Sequence, residues 1–170
     1  VIPELGVSDR DYYWDKQKEQ LLRGYVYGTF RPNWVVAIEP EYEKFDRKER
    51  YADLPANIHT LRAPISVSYF DQNGFWAKLT GTYVMQDVKW ARFDEDTWLG
   101  WIEKKDSNFF LLDMVAGYRL PKRKGLLSFE VRNLLNKHFY YRNQYLYLSE
   151  PALPRYIPER TLFARITLNF

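Results

Sequence analysis

The sequence has no cysteine, which excludes a disulfide framework, a thiolate nucleophile and a thiolate metal ligand. It has only two histidines, His59 and His138, in different segments and without ligand spacing around them, so no histidine-held metal is expected. It has no apolar run of about 18 residues or more, which excludes a transmembrane helix. It has no glycine-rich phosphate loop and no Ser-His-Asp arrangement, so no nucleophile and base can be paired and no enzyme is expected. The formal net charge of +3 is too small to argue for nucleic acid. The opening VIPELGVSDR lacks a basic stretch followed by an apolar core, and the first residue is not Met. The chain is therefore expected to be a mature product or a piece of something longer. No cofactor is expected.

Aromatic residues are abundant: 14 Tyr, 11 Phe and 6 Trp, or 18% of 170 residues. They sit within period-2 alternation. In the terminal stretch RTLFARITLNF, Leu162, Ala164, Ile166, Leu168 and Phe170 share one strand face. Thr161, Arg165, Thr167 and Asn169 share the other. Six earlier segments read the same way, at about 21–30, 34–45, 58–70, 75–92, 109–120 and from 126 onward. Residues 1–20 read as an external loop or strand lead-in to a single unit over 1–170. The connections alternate. Arg31–Asn33, Asp71–Gly74 and Pro121–Gly125 are short, with turn chemistry. DRKERYADLPAN, FDEDTWLGWIEKKDS and the stretch ending LSEPALPRYIPE are long. Tight turns at one end and long loops at the other suit a transmembrane β-barrel, whose strands need only about 9–11 residues each.

The expected fold is all-β: an antiparallel up-and-down meander of about seven strands, part of a transmembrane barrel. Trp34, Val36 and Ile38, then Phe110, Leu112 and Met114, should face lipid. Glu39, Glu41, Asp113, Glu130, Arg132 and Arg165 should face the lumen and are the candidates for solute contact. Aromatic belts are expected at both margins, with Phe30, Trp34, Tyr69, Phe75, Tyr118 and Phe170 at the short turns and Trp90, Phe109 and Tyr140 opposite. Pro40 and Pro64 each remove a ladder donor and sit uneasily in paired strands. Turn lengths set the register: Leu120 opposite Gly125, Tyr118 opposite Leu127 and Asp113 opposite Arg132, then Arg23 opposite Glu41 and Phe30 opposite Trp34.

Asn133-Leu134-Leu135-Asn136-Lys137, the aromatic patch Phe139-Tyr140-Tyr141, a Pro- and Arg-containing loop and a closing strand with terminal Phe170 follow one another in order. That succession resembles the C-terminal end of TonB-dependent outer-membrane receptors. His59-Thr60-Leu61-Arg62-Ala63-Pro64 looks like the receptor-type barrel behind tetratricopeptide repeats. Such receptors have 22 strands and a plug. Neither a plug nor a TonB box is present here, so the resemblance implies the last third of a barrel. It further implies a Gram-negative outer membrane, solute uptake driven by a TonB-type partner, and contact with outer-membrane lipid, the remaining barrel, a plug domain and the barrel-assembly machinery. Ile166, Leu168 and Phe170 would form the membrane-insertion signal.

Two further motifs are weaker. Asp94 and Asp96 have the spacing of the first calcium-loop ligands, but Trp98, Leu99 and Lys105 stand where a ligand, glycine and glutamate belong. Trp98 and Trp101 support the alternative reading of a soluble or surface-attached β-domain that binds carbohydrate or protein.

Overall fold

The computed structural model describes residues 2–5, 12–15, 17–47, 54–94, 99–142 and 156–169. The fold is all-β, as the alternation implies. Strands β1 (Ile2–Leu5) and β2 (Tyr12–Asp15) form a two-stranded ladder. The other nine form one antiparallel sheet: β3 (Gln17–Arg23), β4 (Val26–Arg31), β5 (Trp34–Ile38), β6 (Glu41–Arg47), β7 (Leu54–Phe70), β8 (Phe75–Asp94), β9 (Leu99–Leu120), β10 (Gly125–Arg132) and β11 (Thr161–Leu168). β7 pairs with both β5 and β6, so β3–β4 and β5–β6 each act as one long strand with an interruption. Seven long strands in meander order result, and the sheet is not closed on itself among the described residues.

Both prolines sit at the interruptions. Pro40 lies between β5 and β6, and its carbonyl accepts the Gly24 N–H at 2.9 Å. The Pro64 carbonyl accepts the Glu39 N–H at 3.1 Å. Each missing donor thus falls where the ladder is already broken, which is where proline costs least.

The registers follow the turns. Leu120 pairs with Gly125 and Tyr118 with Leu127. Arg23 pairs with Glu41. One pairing departs: Arg31, not Phe30, stands opposite Trp34, because a bulge falls between Thr29 and Arg31. The Phe30 and Trp34 rings still meet, with centroids 6.1 Å apart. The β9–β10 ladder ends at Val131–Met114, one step short of Asp113 and Arg132.

The polar stretch 93–107 is not a long loop. β8 runs to Asp94 and β9 starts at Leu99, so the two strands pair far beyond the apolar alternation. Both faces of 101–106 are exposed, which hides a strand from any reading based on hydropathy. Similarly, β10 stops at Arg132 rather than continuing through HFYY.

The faces are sharply sorted. Along β8, Thr82, Val84, Gln86, Val88 and Trp90 are buried, while Tyr83, Met85, Asp87 and Lys89 are exposed. The exposed face is apolar for nine to eleven residues from the short turns, then turns polar. The switch falls between Leu22 and Gln20, Tyr42 and Lys44, Leu61 and His59, Met85 and Asp87, and Phe110 and Asn108. Leu22, Tyr42, Leu61 and Met85 lie in one row across four strands. From β8 to β9 both margins step down by two residues, Met85 to Phe110 and Phe75 to Leu120.

The buried face carries Glu41, Thr60, Arg62, Ser66, Thr82 and Gln86. Toward the long-connection end it also carries two apolar clusters, Phe45–Ile58–Val88–Trp90 and Val84–Phe109–Leu111. The second aromatic belt is therefore misplaced in the sequence reading. Trp90 and Phe109 are 5% and 3% exposed and belong to the inner face. Tyr42, Tyr83 and Phe110 mark that margin of the outer face instead. At the short-turn end Trp34 and Tyr69 pair directly, with ring centroids 4.9 Å apart, while Phe170 lies outside the described residues.

Candidate functional site

The inner face is the candidate site, and it has two parts. The first is an ionic knot on β3, β6 and β7. Period-2 alternation aims Glu41 and Glu43 inward from β6, and the β6–β7 register sets Arg62 opposite Glu41. Arg62 is 2% exposed and its two terminal nitrogens bind the Glu41 and Glu43 carboxylates. Arg23 Nε reaches Glu41 from the other side at 2.6 Å. Two cations, Arg62 and Arg23, therefore neutralise the two anions Glu41 and Glu43.

The second part is a strap. After β10 the chain turns on Asn133-Leu134-Leu135-Asn136-Lys137 and crosses back over the inner face. Asn133 and Asn136 adopt φ of 52° and 50°, the left-handed region that Asn tolerates better than most residues. The Asn133 side chain closes the turn: Nδ2 donates to the Lys137 carbonyl at 2.9 Å and Oδ1 accepts from the Lys137 N–H at 2.8 Å. The Asn133 N–H donates to Asp113 Oδ1 at 2.7 Å, and Asn136 Oδ1 accepts the Arg160 N–H at 3.0 Å. One short motif thereby joins β9, the end of β10 and the approach to β11.

The strap then docks. Phe139 stacks on Phe109 with centroids 4.1 Å apart, and Tyr141 and Tyr156 meet Phe109 edge-on. Ser107 Oγ donates to the Tyr140 carbonyl at 2.5 Å. Gln86 brackets the Arg142 backbone, donating to its carbonyl at 2.9 Å and accepting from its N–H at 2.8 Å. The same amide donates to Thr60 Oγ1 at 3.0 Å. The Arg142 guanidinium lies 3.9 Å from the Trp90 ring centroid.

The six lumen candidates do not converge. Glu41 is in the knot. Glu39 is exposed at the break between β5 and β6. Asp113 lies three strands away from Glu41, and Glu130 and Arg132 lie four, about 14 and 19 Å across the sheet at ordinary strand spacing. Arg132 pairs with Glu130 at 2.5 Å and covers the Phe163 ring, and it makes no ion pair with Asp113. Arg165 is exposed on β11, opposite Ser128. Ile166 and Leu168 are exposed on the apolar face, while Phe170 lies outside the described residues. Sequence reasoning missed Arg62, Asn133 and Arg142 as organisers. Arg62 was legible in principle, because an inward acidic row needs cations on the neighbouring strand.

Above the apolar margin the outer face carries a small polar cluster. Asp46 accepts from Asn57 Nδ2 at 2.7 Å, and Lys44 Nζ lies 2.9 Å from it. Burial raises the Asp46 pKa, but hydrogen bonds from Lys44 and Asn57, with the Lys44 charge, outweigh it and hold the carboxyl below its ordinary value. Among the described residues no group of three or more His, Cys, Asp or Glu side chains is placed to hold a metal ion. No protein-family model, curated protein or solved structure matches the chain.

Proposed function

We propose that the chain is the C-terminal part of an outer-membrane β-barrel receptor that takes up a solute with energy from a TonB-type partner. One observation carries the membrane half of this reading: the sheet is inside out. Its broad exposed face is apolar over a band of nine to eleven residues, and its enclosed face holds the charged knot. Water would penalise that arrangement, whereas lipid favours it. The stepped margin from β8 to β9 suits strands tilted to a bilayer. The receptor half rests on the order of elements from Asn133 to the closing strand. In this reading the inner face, with its knot and strap, lines the solute path.

Solubility tests the first half. The chain alone should precipitate without detergent, disperse in it and enter lipid vesicles. A monodisperse monomer in plain buffer would overturn the membrane reading. Exposed Trp101, 53% accessible, would then favour a carbohydrate-binding surface. Its companion Trp98 lies outside the described residues.

A further inference from the structure

The strap is held as a peptide ligand is held. Gln86, 1% exposed, directs its amide at the backbone of a single residue: it donates to the Arg142 carbonyl and accepts from the Arg142 N–H. A neighbouring strand offers the same two bonds to one residue in an antiparallel ladder, and such a pair reads main chain rather than side chain. The bond from the same amide to Thr60 Oγ1 fixes which way it points. Two residues earlier, Ser107 holds the Tyr140 carbonyl. Main-chain bonds at alternate residues suit an extended segment. The side chains add selection. One ring, Phe109, meets Phe139 face to face and Tyr141 edge-on, and Trp90 takes the Arg142 guanidinium.

The receiving groups all stand on the inner face of β7, β8 or β9. The strap's own turn does not need them, because Asn133 closes it on Lys137. The fit of the strap is also incomplete. Arg142 Nε is buried and has no hydrogen-bond partner among the described residues. A buried donor left unpaired weakens the contact that buries it. The groove is thus well formed, whereas its occupant is imperfectly seated and tied at one end to β10.

We propose that this part of the inner face is a binding site for an extended peptide, and that Phe139–Arg142 is an internal stand-in which such a peptide displaces. The ligand carries an aromatic residue three places before a cationic one, as the strap does with Phe139 and Arg142. Gln86 and Ser107 hold its main chain whatever its sequence, and Phe109 and Trp90 supply the preference. This inference rests on the reading of the inner face as the solute path and names the class of solute. The strap competes at the effective concentration of a short tether, on the order of millimolar. A free peptide therefore takes the site only when it is abundant or the strap is weakened.

The test uses the full chain in detergent micelles and the strap's own hexapeptide, Lys-His-Phe-Tyr-Tyr-Arg, with a dye at its N-terminus and an amide at its C-terminus. Phe139→Ser combined with Arg142→Ser loosens the strap without altering the sheet. That variant should bind the peptide about tenfold tighter than the unaltered chain, because the tethered competitor is weakened. Adding Gln86→Ala should abolish the gain, although this change loosens the strap further. A hexapeptide of the same residues with arginine first should bind much more weakly. The unaltered chain gives a reading that does not depend on how the variants fold. Peptide at about millimolar concentration should speed amide exchange at 139–142 severalfold and leave the β7–β8 ladder slow. No gain in the strap variant, equal binding of the two peptides, a gain that survives Gln86→Ala, or unchanged exchange at 139–142 would each overturn the proposal. The need for detergent decides the membrane reading separately and is untouched by these outcomes.

Discussion

Arg62 is the side chain whose loss should be felt most. Its guanidinium is buried between Glu41 and Glu43, and Arg23 reaches only Glu41. Arg62→Ala leaves buried carboxylate without its main partner, so it should cost about 3–5 kcal/mol. Urea unfolding of the detergent-solubilised chain would measure this. Replacing Arg62, Glu41 and Glu43 together by apolar and neutral residues of similar volume should recover most of the loss. A second residue-scale effect depends on pH. Asp46 lies above the apolar margin, and its folded pKa is lowered. A depressed carboxylate contributes stability that is present above its unfolded value, near 3.8, and is lost as pH falls through the lower folded value. Asp46→Asn should therefore lower stability modestly at pH 7, with the difference from the parent shrinking as pH falls below about 4, as acid titration followed by circular dichroism would show.

The strap is held by groups from β8 and β9, and Gln86 is its principal bracket. Gln86→Ala removes both bonds to Arg142 and the bond to Thr60, worth about 1–3 kcal/mol together. Amide hydrogen exchange at 137–142 should accelerate about tenfold or more. Exchange in the β7–β8 ladder should stay slow below Met85. Equal acceleration throughout the sheet would mean that the strap is not a separate element. The strands themselves were largely legible, because apolar and polar residues alternate wherever one face meets an apolar surroundings. So were the registers, because three- and four-residue turns leave few ways to pair Arg23 with Glu41 or Tyr118 with Leu127. Leu99–Ser107 was not legible as strand, since Trp101 to Asp106 are exposed on both faces and carry no alternation. Nor was the strap. Phe139 and Tyr141 look like more strand in sequence, and only contacts to Phe109 and Gln86, distant in the chain, reveal that they fold back. Trp90 and Phe109 were assigned to an outer belt by their position along the strand, although their parity places them inward.

At the scale of the molecule, the short turns define one side and the long strand extensions the other. The absence of cysteine makes that division measurable. On the proposed outer-membrane reading, with Asn73→Cys and Lys104→Cys made singly, an impermeant thiol reagent added to intact cells should label only position 104. Labelling of position 73 alone would invert the orientation. On the proposed outer-membrane reading, removing Phe170 should lower the amount assembled in that membrane, read by heat-modifiable mobility, without changing the solute bound per assembled molecule. Normal assembly with lost uptake would contradict its role in insertion. The strap has a temporal consequence as well. The hairpins join residues close in sequence, whereas Gln86 and Arg142 are 56 positions apart. Loop closure over that span carries an entropy cost that the hairpins largely avoid, and it becomes small once β8, β9 and β10 are already side by side. The strap should thus be the last contact to form and the first to let go, so that the meander assembles open-faced and closes its own inner surface only on completion.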